Sequence, residues 1–130
     1  MPIGIKTTDT WEYQFKCDRK PDGTTDPEGT LVTLCYLSAE QHARIQDSLA
    51  TFLVNSTGGM SEARFTSGTH VLETLKYGVV GWKNYRYADG TPVVFRARNV
   101  ASFDSMSYDH RTELAEAILE RVRVPATLGN

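Results

Sequence analysis

From Thr10 to Asp18 the chain alternates. Trp11, Tyr13, Phe15 and Cys17 fall on one side, and Glu12, Gln14, Lys16 and Asp18 on the other. A period of two is the repeat of a half-buried strand. Thr30–Leu37 carries bulky residues on both sides (Leu31, Val32, Leu34, Cys35, Tyr36, Leu37), which predicts a second, more central strand. The connection between them, Arg19–Gly29, reads RKPDGTTDPEG. Its Pro, Gly, Asp and Thr content predicts a long polar loop, one that orders only against a partner.

The period then changes. Ser38 and Gln41 have capping-box spacing, in which each side chain satisfies the other's free backbone N–H. Ile45, Leu49 and Phe52 follow at helical intervals and define one apolar face. Asn55–Gly59 ends this unit. Its Asn-Ser-Thr matches a glycosylation acceptor but reads as a turn, because no export signal accompanies it. Met60–Thr66 is expected as a short strand with Ala63 and Phe65 on one face. A second helix is expected over His70–Tyr77, capped by Ser67 or Thr69. Val71, Leu72 and Leu75 would be buried, with Gly78 at its C-terminal end. A last helix is expected from Ser107 to about Arg123. Leu114, Ile118 and Val122 form its stripe, broadened by Ala115 and Leu119. Asp109 near its start and Arg121 and Arg123 near its end suit the helix dipole, and Pro125 stops it.

The most informative stretch is Gly78–Phe95, GVVGWKNYRYADGTPVVF. Asp89-Gly90 between two runs of bulky residues predicts a hairpin over Trp82–Phe95. Trp82, Tyr85 and Tyr87 interleave with Lys83 and Arg86. Such a segment can lock the preceding glycine step onto the core, or present Trp, Tyr and Arg to a partner, the residue types that dominate interface anchors.

With 130 residues, 40% of them hydrophobic and 23% charged, the composition is that of one soluble globular domain, and the elements above make it α+β: a small antiparallel sheet with about three helices. The expected division is an arm over residues 1–9, a domain over 10–124 and a tail over 125–130. A net charge of −2 removes the general basic field that nucleic-acid wrapping needs. No apolar run reaches membrane-spanning length, and the N-terminus carries no signal core. Cys17 and Cys35 are too far apart in sequence for a zinc set or a redox pair. They are expected as reduced, buried thiols, with a cross-strand disulfide as the alternative. His42, His70 and His110 have no metal spacing, and neither a nucleophile elbow nor a phosphate loop occurs. No catalytic, cofactor-binding or metal-ligating residue is assigned, and an enzyme is not expected.

Several residues taken together resemble a known group. They are Leu37-Ser38 after the first strand pair, Gly81-Trp82-Lys83-Asn84-Tyr85, Asp89-Gly90, Val93-Val94-Phe95, and the helix Glu113-Leu114-Ala115-Glu116-Ala117-Ile118. Their order over most of residues 10–123 resembles small proteins of tailed bacteriophages and prophages encoded among the head and tail morphogenesis genes. The polar loop Arg19–Gly29 has no counterpart in that pattern. The resemblance implies a non-enzymatic structural or assembly protein acting through protein–protein contacts. Its partners would be phage capsid, neck or tail proteins, or further copies of itself. It would sit in the virion, as a head or neck component such as capsid cement, or in the host cytoplasm during assembly. A second reading is a tail assembly chaperone absent from the mature particle. A third, of another class, is a nucleic-acid-binding module using Trp82, Lys83, Tyr85, Arg86, Tyr87, Arg96 and Arg98. The expected contact residues are Trp82, Lys83, Tyr85, Arg86 and Tyr87, with Arg19, Lys20 and Asp22 from the polar loop.

Overall fold

The computed structural model describes residues 8–54 and 68–123. The expected turn Asn55–Gly59, the strand Met60–Thr66, the tail and nearly all of the N-terminal arm lie outside those residues. So do the side chains of Leu49, Phe52 and Val122.

Leu31–Cys35 (β2) is the central strand of a three-stranded antiparallel sheet. It is flanked by Thr10–Gln14 (β1) and Val79–Lys83 (β3). Its apolar character on both sides is what the central position requires: Leu31, Val32 and Leu34 are all buried. The register pairs Trp11 with Leu34 and Tyr13 with Val32 on one side of β2, and Val32 with Trp82 on the other. That row of bulky residues makes one face of the sheet apolar. Opposite Thr33 and Leu34 the β3 register skips from Gly81 to Val79, so Val80 is an extra, exposed residue of β3.

Among the described residues three helices accompany the sheet: Ala39–Val54 (α1), Gly68–Gly78 (α2) and Tyr108–Arg123 (α3). Ser38 and Gln41 close the expected capping box: Gln41 N–H donates to Ser38 Oγ (3.1 Å), and Ser38 N–H donates to Gln41 Oε1 (3.0 Å). Ser107 caps α3 by accepting from His110 N–H at 3.2 Å. Ile45, Val71, Leu75, Leu114, Ala115 and Ile118 bury their side chains with β2 and with Phe15, Phe103 and Met106 in one core. Gly78 ends α2 where Ile118 passes over it, and a Cβ there would lie 2.5 Å from Ile118 Cδ1. The glycine is needed for this close approach, so that β3 can start at the next residue.

The structure departs from the sequence reading in three places. The third strand begins at Val79 and pairs with β2. The Asp89–Gly90 turn is present, but its arms share only the bridge Arg86–Pro92 and do not form two strands. β1 stops at Gln14, and a short 3-10 turn follows at Lys16–Asp18, which leaves Cys17 exposed and not inward. Of the two expected caps of α2, Thr69 lies within the helix and Ser67 lies outside the described residues. Asn99–Met106, where the sequence carries no periodic pattern and no regular element is expected, holds a 3-10 turn at Val100–Phe103, capped by Asn99 Oδ1 accepting from Ala101 N–H (2.9 Å).

Candidate functional site

Trp82 sits at the join between β3 and the turn that follows. Its indole Nε1–H donates to Val93 C=O at 2.9 Å. Tyr85, Phe95 and Phe103 meet its ring edge-on, at centroid distances of 5.2, 5.0 and 5.9 Å. Edge-to-face aromatic pairs stabilise beyond the area they bury. Trp82 is therefore a half-buried keystone under the turn, committed to the core and not a free anchor. Tyr85 is half-buried too, and its hydroxyl donates to Ser105 C=O (3.4 Å). Burial, then Tyr87 beside it, holds its phenol above the usual tyrosine range.

The turn itself is tight. Tyr87 N–H donates to Thr91 C=O and Gly90 N–H to Tyr87 C=O, and Gly90 adopts φ +89°, which a side chain resists. Asp89 accepts from the Thr91 hydroxyl and N–H, and those bonds, the hydroxyl's first, hold its carboxyl below the ordinary range. Arg86 donates to Gly90 C=O at 3.2 Å.

Beyond Pro92 the alternation of period two returns. Val93 is buried and Phe95 half-buried over Trp82, whereas Val94 is 67% exposed and Arg96 faces outward. Arg96 is fixed from behind, since its N–H donates to Ser102 Oγ (2.8 Å) and its C=O accepts from the same hydroxyl (2.9 Å). Tyr87, Val94, Arg96, Ala101 and Ser102 thus line a groove of about 260 Å³. Tyr87 is 48% and neighbouring Val100 40% exposed. Val94, Ala101 and Ser102 are residues the sequence reading did not single out, and Arg96 entered it only for the nucleic-acid alternative. The signal for Val94 and Arg96 was present, in the in–out alternation of Val93 to Arg96.

The basic residues are dispersed to separate tasks. Lys83 pairs with Glu12 at 3.7 Å, both more than half exposed, a weak surface pair. Arg98, at φ +58°, lies 5.4 Å over the Tyr77 ring, beside a second cavity of about 180 Å³ lined also by Cys35, Tyr36, Ser38 and Gln41. Arg96 alone enters the groove.

The polar loop makes more hydrogen bonds than its composition implies, several of them to residues outside it. The buried Gln14 amide clamps Asp26: Nε2 donates to Asp26 C=O and Oε1 accepts from Asp26 N–H, both at 2.7 Å. Lys20 N–H donates to Thr24 C=O, and Asp22 accepts from the Thr24 hydroxyl and N–H, which lower its pKa in that order. Thr30 N–H donates to Asp18. Arg19 turns inward, its guanidinium 5.2 Å over the Tyr13 ring and its Nε–H donating to Gln14 C=O. Lys20 and Asp22 are exposed at the tip. Asn84, at φ +59°, ties the loop to the end of β3, donating weakly to Pro27 and Gly29 C=O and accepting from the Thr30 hydroxyl. No described hydrogen bond, ion pair or ring contact joins Arg19, Lys20 or Asp22 to Trp82–Tyr87.

One constellation has the residue types of chemistry. Cys17 Sγ lies 3.7 Å from His110 Nε2, and the His110 ring is 4.5 Å from Phe15. Desolvation, then the Asp18 and Glu113 carboxylates, push the Cys17 thiol up. That is the wrong direction for a nucleophile, which needs the thiolate. Glu113 is occupied in joining α3 to the end of β1, accepting from the Tyr13 hydroxyl (2.6 Å) and Lys16 N–H (2.9 Å). Cys35 is half-buried and both thiols are free. Among the described residues no group of three His, Cys, Asp or Glu side chains could hold a metal ion, and no helix is long and apolar enough to cross a membrane. No protein-family model, curated protein or solved structure matches this chain.

Proposed function

We propose that the chain is a non-enzymatic bacteriophage morphogenesis protein, a virion component at the head or neck, that works by binding other particle proteins through the face around the Tyr87–Val94–Arg96 groove. The observation that carries this reading is the exposure of Tyr87 and Val94 on one groove, beside a segment in which Trp82 packs on Phe95 and Phe103. Covering a side chain such as Val94 is worth about 1.5–3 kcal/mol when burial is complete. A turn held this firmly loses little conformational freedom when a partner covers it, which leaves more of that gain for binding. The order of motifs from Leu37-Ser38 to the Glu113–Ile118 helix supports the phage setting.

Mass spectrometry of particles purified from the cells that encode the chain tests the proposal. A fixed, stoichiometric copy number per particle is the expected result. Absence from particles, with the chain present in the producing cells, would favour the tail assembly chaperone.

A further inference from the structure

The groove has a one-sided polar chemistry. Ser102 Oγ is occupied on both counts by the Arg96 backbone, accepting its N–H and donating to its C=O. Tyr87 oxygen accepts from Ser105 Oγ at 3.2 Å, which leaves its own O–H to donate. The Arg96 guanidinium makes no ion pair or hydrogen bond among the described residues, and no carboxylate lines the groove. The polar side-chain groups it offers are therefore donors, one of them cationic. The rest of its lining, Val94 and Ala101, is aliphatic.

The backbone adds a direction. Val93 turns its N–H to Tyr85 C=O (2.9 Å) and its C=O to the Trp82 indole. In an extended segment the next residue turns its N–H and C=O the opposite way. Val94 is that residue, and neither its N–H nor its C=O enters a described hydrogen bond. Val94 thus offers one open pair of backbone groups to an extended segment, between Pro92, which has no N–H, and Arg96, whose N–H and C=O are both held by Ser102 Oγ.

We propose that this groove binds an extended, carboxylate-bearing apolar segment of a partner protein, which pairs with the Val94 backbone, lays an aliphatic side chain against Val94 and Tyr87, and sets a carboxylate on Arg96. The proposal rests on the contact-face reading and names the chemistry of what that face accepts. Arg96 fixes the sign of the partner's charge, because a cationic segment would face an unpaired guanidinium with no acid to offset it. Val94 and Tyr87 supply the contact area, and the Val94 edge supplies the orientation.

The test uses the full chain and fluorescein-labelled ten-residue peptides in an anisotropy titration: alternating Glu and Val, alternating Lys and Val, and alternating Glu and Ser. The Glu–Val peptide is expected to bind with a Kd on the order of 0.1 mM, ordinary for a short unordered segment. The other two are expected to bind at least about tenfold more weakly. Arg96→Glu should weaken the Glu–Val peptide by about tenfold or more and improve the Lys–Val peptide. Both Arg96→Glu and Val94→Ser should melt like the parent, since both side chains are exposed. Equal binding of the Lys–Val peptide, an Arg96→Glu variant that binds the Glu–Val peptide at parent affinity, or no binding of any peptide at about 1 mM overturns the proposal. Its failure is separable from failure of the virion reading. Arg96→Glu protein present in particles at the parent level removes the groove assignment alone, whereas absence of the parent chain from particles removes the virion reading.

Discussion

Replacing Trp82 by Ala removes the residue on which the turn, the groove wall and part of the core rest together. Its ring meets Tyr85, Phe95 and Phe103 edge-on, and its Nε1–H is held by Val93 C=O. Truncating a large buried aromatic to Ala costs about 3–5 kcal/mol. Trp82 is only half-buried, which places the expected loss near the lower end, about 3 kcal/mol. Trp82→Phe keeps most of the ring contact and loses the indole hydrogen bond, an expected cost of about 1 kcal/mol. Against a total stability of about 5–15 kcal/mol for an ordinary domain, the first change is severe and the second mild. Urea unfolding followed by far-ultraviolet circular dichroism reads both. With a slope of about 1–3 kcal/mol/M, Trp82→Ala should lower the midpoint by about 1–3 M. His110→Ala, which loses only the Phe15 contact and a long approach to Cys17, should cost clearly less than Trp82→Ala. A midpoint for Trp82→Ala within about 0.3 M of the parent would refute the reasoning, because no keystone can be removed at a cost below about 1 kcal/mol.

Gly78→Ala should destabilise by about 1–3 kcal/mol in the same assay, since the new Cβ would meet Ile118 inside the core, and Ile118→Val should relieve part of that loss. Gln14→Leu should remove the clamp on Asp26 and raise amide exchange over residues 19–29 by at least about tenfold, the equivalent of roughly 1.4 kcal/mol of local opening, while β2 stays protected. Burial, then His42, depresses the His70 pKa below its ordinary 6.5. The unfolded chain therefore takes up that proton first as pH falls. His70 contributes stability above about pH 6.5 that is lost as the pH falls through that value toward its folded pKa, and the melting temperature should drop between pH 7 and pH 5, with the drop reduced in His70→Gln.

The parts of the fold that follow local rules were readable in the sequence. The capping box at Ser38 and Gln41, the Ser107 cap and the stripes of α2 and α3 are set by residues three or four apart, and β2 announced its central place by being apolar on both sides. What escaped depends on contacts across the chain. Gly78 resembles an ordinary helix-ending glycine until Ile118, forty residues on, is placed over it. The period-two pattern ran on through Phe15 to Cys17, but Gln14 is drawn inward by Asp26 and the strand ends there. The polar loop looked unable to order itself because its partners, Gln14, Asp18 and Asn84, lie outside it. At the candidate site, aromatic and basic content pointed to Trp82–Tyr87. Trp82 and Tyr85 turned out to be supports, and the open surface moved to Tyr87, Val94 and Arg96. Content alone does not separate an aromatic that braces a surface from one that forms it, and the side that Val94 takes is decided by Val93 and Phe95 packing on Trp82.

The central claim is that the face around Val94 is covered by another particle protein. Placing the photo-crosslinking residue p-benzoylphenylalanine at Val94 in producing cells, irradiating, and purifying particles reads that contact directly. The account predicts a crosslinked product between this chain and a particle protein. It also predicts that the same probe at exposed Glu40, on the first turn of α1, gives no such product. Particles that contain the chain with Val94 crosslinked to nothing, or a product from Glu40 and none from Val94, would contradict it.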